Sequence, residues 1–512
     1  MAFAGWMLAV GMLGQVPAPG AAAALSAQLQ QETRAIRDRE ESRLAALADA
    51  LAAQGLEAEA AAVRAWIEPA PAPDGPTRFV PLPEVIPAFA TGPAGAQAKG
   101  PSDAEVRRIR ASAAEAWFKV ADQALRASRF ALADECLRRV VDRQPDHAES
   151  RRLLGYVRHD GGWATPFAVR LIHDGYADHA TFGWVPADWI PHLERGELPS
   201  PSGSPLRWLP AAEADDLHRD VADAWRVATP HFQIRANIPL AEAIAFGHRL
   251  EAFHEAFVAL MADAIDPQRL PLARRFRSKA PAPDLRPSDR HLVRYFATKD
   301  QYVAYLQGLG LTDAEAELGR YLPREQSLPL GEPPTSYFYK DPADQVGAAA
   351  TLYHEVSHQL LFETAGPTSY WRNAGNFWVF EGLGTYFETV TPQPDGSLRI
   401  GGLIGPRVAE AQRRLVGAGE FVPLAQFVTL DLRSFMEGTS LHYAEAMTLT
   451  IFLMQADGRS HREGFLDYVH DAYRGRLRGS RALADHLDER YETLDRRFLA
   501  FLEAGMARRE PK

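Results

Sequence analysis

Residues 346–367 read VGAAATLYHEVSHQLLFETAGP, and the reading of this stretch decides the fold. Good helix formers run without an interior proline until Gly366-Pro367, which is a stop signal, so the stretch predicts one helix. On that helix His354 and His358 stand four positions apart and share a face, with Glu355 at its edge. Leu352, Val356, Leu360 and Leu361 form the apolar side that buries the helix, as a site held to sub-ångström geometry requires. H-E-x-x-H on a helix supplies two imidazole ligands one turn apart and a carboxylate able to serve as general base. The plain alternative is two surface histidines beside an acid.

A catalytic zinc site wants three protein ligands and keeps the fourth position for water. Downstream lies Phe377-Trp378-Val379-Phe380-Glu381-Gly382-Leu383-Gly384-Thr385-Tyr386-Phe387-Glu388. With the histidine motif, this segment resembles the gluzincin, or peptidase-MA-like, metallopeptidases, whose third ligand is a glutamate in a segment of the form W-x-x-E-G-x-A-x-Y-x-E. The resemblance implies that His354, His358 and Glu381 hold one Zn2+ per chain, with Glu355 as the base. It also implies that Glu388 orients a ligand histidine through its free ring N–H. Read without the upstream motif, Glu381 is a helix N-terminal acid favoured by the macrodipole, and Glu388 lies on a solvated face. Gly384 stands where the family usually has a small residue and is taken as a close-packing position.

The likeness is to an uncharacterised bacterial branch of that superfamily and spans roughly residues 225–475. It implies a strand at Pro230–Arg235, a helix from about Leu240 to Ala262, a strand at His291–Phe296, and a helix containing Gln301–Leu306. Thr335–Lys340 reads as the edge strand before the metal helix, a place where an extended substrate can pair by its backbone. Tyr443 stands where several gluzincins carry a tyrosine that donates to the oxyanion; His442 is the competing donor, and simple helix packing of Tyr443 is the alternative. The G-x-M-E-N segment that holds a free amine in the aminopeptidases has no counterpart, which favours an endopeptidase over an exopeptidase. The expected activity is zinc-dependent hydrolysis of protein or peptide substrates. The other function class is a non-catalytic interaction protein that keeps the fold, although Glu355, the cheapest residue to lose on that route, is present.

At 512 residues, with 46% hydrophobic and 24% charged residues, the chain has an ordinary globular composition and length for two or three domains. A net charge of −10, with no basic stripe, argues against nucleic acid. Cys136 is the single cysteine, so intrachain disulfides and multi-thiolate metal sites are excluded. The expected class is α+β: a zincin-like metallopeptidase domain at 225–505, with a small twisted sheet, the active-site helix and a helical C-terminal lobe, preceded by a mostly helical region.

Within that region, residues 1–24 read as a signal peptide, which favours export to the periplasm or medium over the cytoplasm. No stable membrane span is expected, since Ala2–Val16 is too short. The positive n-region is missing, the first basic residue being Arg34, and a displaced start codon or a buried helix accounts for that equally well. Residues 25–66 read as a helix pair, and 67–101 as a Pro/Ala-rich linker. Residues 102–160 form a block in which Ala121, Ala124, Phe130, Ala133, Val140 and Pro145 resemble one or two tetratricopeptide units. One or two units must lean on a neighbour, so the block is either a protein-binding groove or a packing element. Residues 161–224 read as a connector with short strands, where Trp163, Trp184 and Trp189 form either a ligand patch or packing.

Overall fold

A computed structural model describes residues 19–68, 74–88, 101–200, 206–278, 286–365 and 375–507. The fold is mixed α+β, mostly helical with small sheets. No helix among the described residues is long and apolar enough to cross a membrane. Residues 1–18 of the expected leader and 366–374 after the metal helix lie outside the described residues.

A five-stranded sheet positions the candidate site. Its strands are β1 (Trp225–Ala228), β2 (Phe232–Ala236), β3 (His291–Phe296), β4 (Gly319–Leu322) and β5 (Thr335–Tyr339), in the order β4-β5-β3-β2-β1. β2, β3 and β5 run parallel, and β1 and β4 close the two edges antiparallel. Side chains alternate across the sheet, as a period of two requires. On one face Phe232, Ile234, Val293 and Phe338 enter the main core. On the other, Phe296, Tyr337 and Tyr339 pack with Tyr302 and Leu306 of the helix Lys299–Gly308. Thr335–Tyr339, expected at the edge, is therefore an interior strand buried along its whole length. The edge belongs to β4, whose four residues carry too short a pattern to be read as a strand.

The metal helix, Gln345–Ala365, lies on the main-core face and buries Val356, Leu360 and Leu361 completely. Each such side chain contributes about 1.5–3 kcal/mol by leaving water, which fixes the helix against the sheet. Ser336 of β5 donates to Gln359 Oε1 at 2.8 Å, and Gln359 donates to the Leu292 carbonyl at 3.1 Å, adding a polar tie through the same contact.

The N-terminal helices share this core. Leu29 and Ile36 of the helix Pro19–Ala53, Trp117 of Pro101–Arg126, and Leu137 of Phe130–Arg143 belong to one cluster with Phe257, Phe380 and Phe498. Of the residues of the tetratricopeptide likeness, Ala121, Ala124, Phe130, Ala133 and Val140 are buried in it and Pro145 is partly exposed. Asp263 caps the helix Phe130–Arg143 from the other region, accepting from the amides of Phe130 at 2.5 Å and Ala131 at 3.2 Å. Within the stretch read as a linker, Thr77–Phe79 pairs with Leu398–Ile400 and Val85–Ile86 with Gly162–Ala164. Those residues are strands bonded to both flanks. The tryptophans of the connector pack: the indole N–H groups of Trp163 and Trp184 donate to Asp146 and Glu84, and Trp189 meets Trp208 edge-on.

Candidate metal centre

Two helices and the start of a third assemble the site. His354 and His358 project from the metal helix, Glu381 from the first turn of Trp378–Phe387, and Tyr443 from the start of Thr439–Arg459. The first two helices approach closely because Gly384 lacks a side chain: a Cβ there would lie 2.7 Å from Cε1 and Nε2 of His354. Gly382 serves the next contact, where a Cβ would meet Thr450 Oγ1 at 2.6 Å. A helical glycine costs about 1 kcal/mol against alanine, and here the close approach gives the reason for it.

The ligand atoms converge. His354 Nε2 lies 3.1 Å from His358 Nε2 and 3.5 Å from Glu381 Oε2, and one ligand atom from each of the three residues lies within 4.8 Å of the others. A tetrahedral ion with bonds of 2.0–2.2 Å sets its ligand atoms about 3.3–3.6 Å apart. The two spacings at His354 lie close to that range, and the three residues form a group that could hold a metal ion. His354 Nδ1 bonds Glu388 Oε1 at 3.0 Å, which turns its Nε2 lone pair toward the cluster, and Arg407 Nε donates to Glu388 Oε2 at 2.9 Å. His358 Nδ1 is buried and makes no hydrogen bond among the described residues.

Electrostatics support the same assignment. Burial opposes a charge on His354, but hydrogen bonds with Glu381 and Glu388 overcome it and raise its pKa. Burial likewise pushes Glu381 up, and the His354 hydrogen bond with the two imidazoles reverses the sign and holds it low. His358 is lowered to about 4 by burial and by the neighbouring His354, so it is a neutral imidazole with a free lone pair. Imidazole and carboxylate groups ligate only when unprotonated, so a cation here would bind in competition with protons.

Glu355 sits at the rim. Its Oε2 accepts from the Tyr321 amide of edge strand β4 at 2.8 Å, and burial raises its pKa to about 7, with His354 the main opposing influence. That value suits a base working near neutral pH. The Tyr443 hydroxyl hydrogen-bonds Glu381, which with burial keeps it protonated. His442, the competing donor, faces elsewhere: Nδ1 pairs with the Phe435 carbonyl at 2.7 Å, and the ring packs against Phe427 and Phe435.

Arg407 escaped the sequence reading. It links Glu388 to the ring of Tyr443, its guanidinium lying 5.3 Å from the ring centroid. It follows Glu388 by nineteen positions across strands and turns, and no local pattern marks it. The Tyr321 amide was equally invisible, because a backbone donor leaves no trace in side-chain identity.

A protein-family model described as a protein of unknown function, DUF1570, matches residues 348–475. The match takes in His354, Glu355, His358, Glu381, Glu388, Arg407 and Tyr443, and its description names no activity. No curated protein matches the chain.

Proposed function

We propose that the protein is a zinc-dependent endopeptidase of zincin-like fold, with the ion held by His354, His358 and Glu381. The observation that carries this reading is the convergence of those three ligand atoms at metal-ligand spacing, with Glu355 on the same helix and held against an edge strand. Bound there, zinc would acidify its water towards a pKa of about 7 and polarise a scissile carbonyl. Glu355 takes the proton of the attacking water and delivers it to the leaving amine. Tyr443 offers a hydroxyl beside Glu381 that can turn to the developing oxyanion. Glu388, braced by Arg407, keeps His354 in the tautomer and orientation that ligation needs. Strand β4 lies beside Glu355 at the sheet edge, where an extended chain can add by backbone pairing.

The test is hydrolysis of an unfolded protein and of short peptides with free or blocked ends by the zinc-loaded chain. Internal cleavage of doubly blocked peptides that disappears in Glu355→Gln is the expected result. Cleavage restricted to free ends would replace the endopeptidase by an exopeptidase. No cleavage of any substrate by a zinc-loaded wild type would favour an interaction protein.

A further inference from the structure

A second group of metal-ligating side chains lies outside this centre. Glu251 and His254 stand three positions apart on the helix Leu240–Leu260, the Glu-x-x-His spacing that brings both side chains to one face. His231 joins them from the turn before β2, and one ligand atom from each residue lies within 4.8 Å of the others. His291, the first residue of β3, donates its amide to the His231 carbonyl at 2.8 Å, and its ring centroid is 5.9 Å from that of His254. Three imidazoles and a carboxylate thus gather where two parallel strands begin.

The carboxylate is held as a ligand is held. Glu251 Oε1 accepts from the Thr229 hydroxyl at 2.5 Å and the His231 amide at 2.7 Å, which fixes the group and leaves Oε2 directed at His231 Nδ1, 2.7 Å away. Such outer contacts are the usual support of a ligating carboxylate. His254 is the second, independent observation. The residue is only 8% exposed, and one of its ring nitrogens lies within 4.8 Å of a ligand atom of His231 and of Glu251. Its ring stacks on His231 at 3.8 Å with 20° between the planes. The surroundings are acidic: the buried Glu84 carboxyl is pushed up to about 7 by burial and by Glu251.

We propose that His231, Glu251 and His254 form a second divalent-cation site of zinc type, pinning the turn between β1 and β2 to the helix Leu240–Leu260. Two imidazoles and one carboxylate are ligands that zinc and cobalt(II) accept. The ion displaces the proton shared by His231 and Glu251. The stacked rings converge by rotation about Cβ–Cγ, a torsion with a broad minimum in histidine. From this site a path of contacts reaches the metal helix, since His291 Nδ1 meets Glu363 Oε2 at 2.5 Å. The site does not depend on the peptidase reading.

Zinc chloride and, separately, cobalt(II) chloride are the probes, with bound metal measured per chain after dialysis of the full-length protein. Wild type is expected to hold two equivalents and His254→Ala one. His358→Ala/Glu381→Ala, which disables the first centre, should hold one that is lost when His254→Ala is added. A wild type whose content is unchanged by His254→Ala overturns the proposal, as does a folded His358→Ala/Glu381→Ala chain without metal or with metal that survives His254→Ala. If the double substitution prevents folding, the comparison of wild type with His254→Ala decides alone.

Discussion

Tyr443 stands beside Glu381, and its hydroxyl there has two separable consequences. If it donates to the oxyanion, Tyr443→Phe lowers kcat by about 10² to 10³ with zinc content intact. If it only steadies the glutamate, metal affinity falls instead and kcat of the loaded protein is preserved. Our account expects the first, and parallel measurement of kcat and zinc content distinguishes them. Glu445, two residues on, points into the core: it is wholly buried, with the Val422 amide its nearest donor and no sound hydrogen bond among the described residues. Burial raises its folded-state pKa well above the ordinary glutamate value. The folded state therefore binds a proton that the unfolded chain releases, and stability falls as pH rises above the unfolded value. Glu445→Gln should melt at a higher temperature, by an amount worth about 1–3 kcal/mol at neutral pH and shrinking near pH 4; thermal melts across that range check it. His354, Glu355 and His358 stood out because they share one helix at H-E-x-x-H spacing, whereas Glu381, on a second helix, was carried over from the family likeness. Glu445 was not legible, since sequence shows a carboxylate and not its surroundings.

Among the elements, the approach of the two ligand helices depends on Gly384. A methyl group there must displace the His354 ring, whose atoms lie 2.7–2.9 Å from where it would sit. Gly384→Ala is expected to weaken zinc binding about 10- to 100-fold, the usual cost of disturbing a ligand's support, while helix propensity alone would make the change stabilising by about 1 kcal/mol. A competition titration against a chelator settles the sign. Two elements that the family likeness implied are present: His291–Phe296 is a strand, and the helix expected from about Leu240 to Ala262 is Leu240–Leu260. The edge was misplaced for a physical reason. The likeness put Thr335–Tyr339 at the edge, but both its faces are covered, and its outer neighbour β4 opens on a glycine and spans only Gly319–Leu322. Tertiary pairing, absent from any local window, decided which strand is last.

In the whole molecule, the helices Pro19–Ala53, Pro101–Arg126 and Phe130–Arg143 are part of the same core as the candidate metal centre. Arg138 pairs with Glu255 at 2.9 Å and Arg129 with Asp467 at 2.8 Å, and Asp263 caps the helix Phe130–Arg143. A fragment of residues 225–507 would expose the apolar surface that meets Trp117, Phe130 and Leu137, so it should lack a cooperative melting transition in circular dichroism. A sharp transition like that of the full chain would show that the core is divisible. Such sharing was hidden in the sequence, where the proline-rich stretch suggested a break and the strand Thr77–Phe79 was indistinguishable from linker. The measurement that tests the central claim most directly is metal content with cleavage of an unfolded protein, made on full-length wild type, Glu355→Gln and Glu381→Ala. We expect wild type to cleave, Glu355→Gln to keep its zinc and lose about 10²- to 10⁴-fold in rate, and Glu381→Ala to lose one zinc and all cleavage. Unchanged zinc in Glu381→Ala, or cleavage by Glu355→Gln at the wild-type rate, would contradict it.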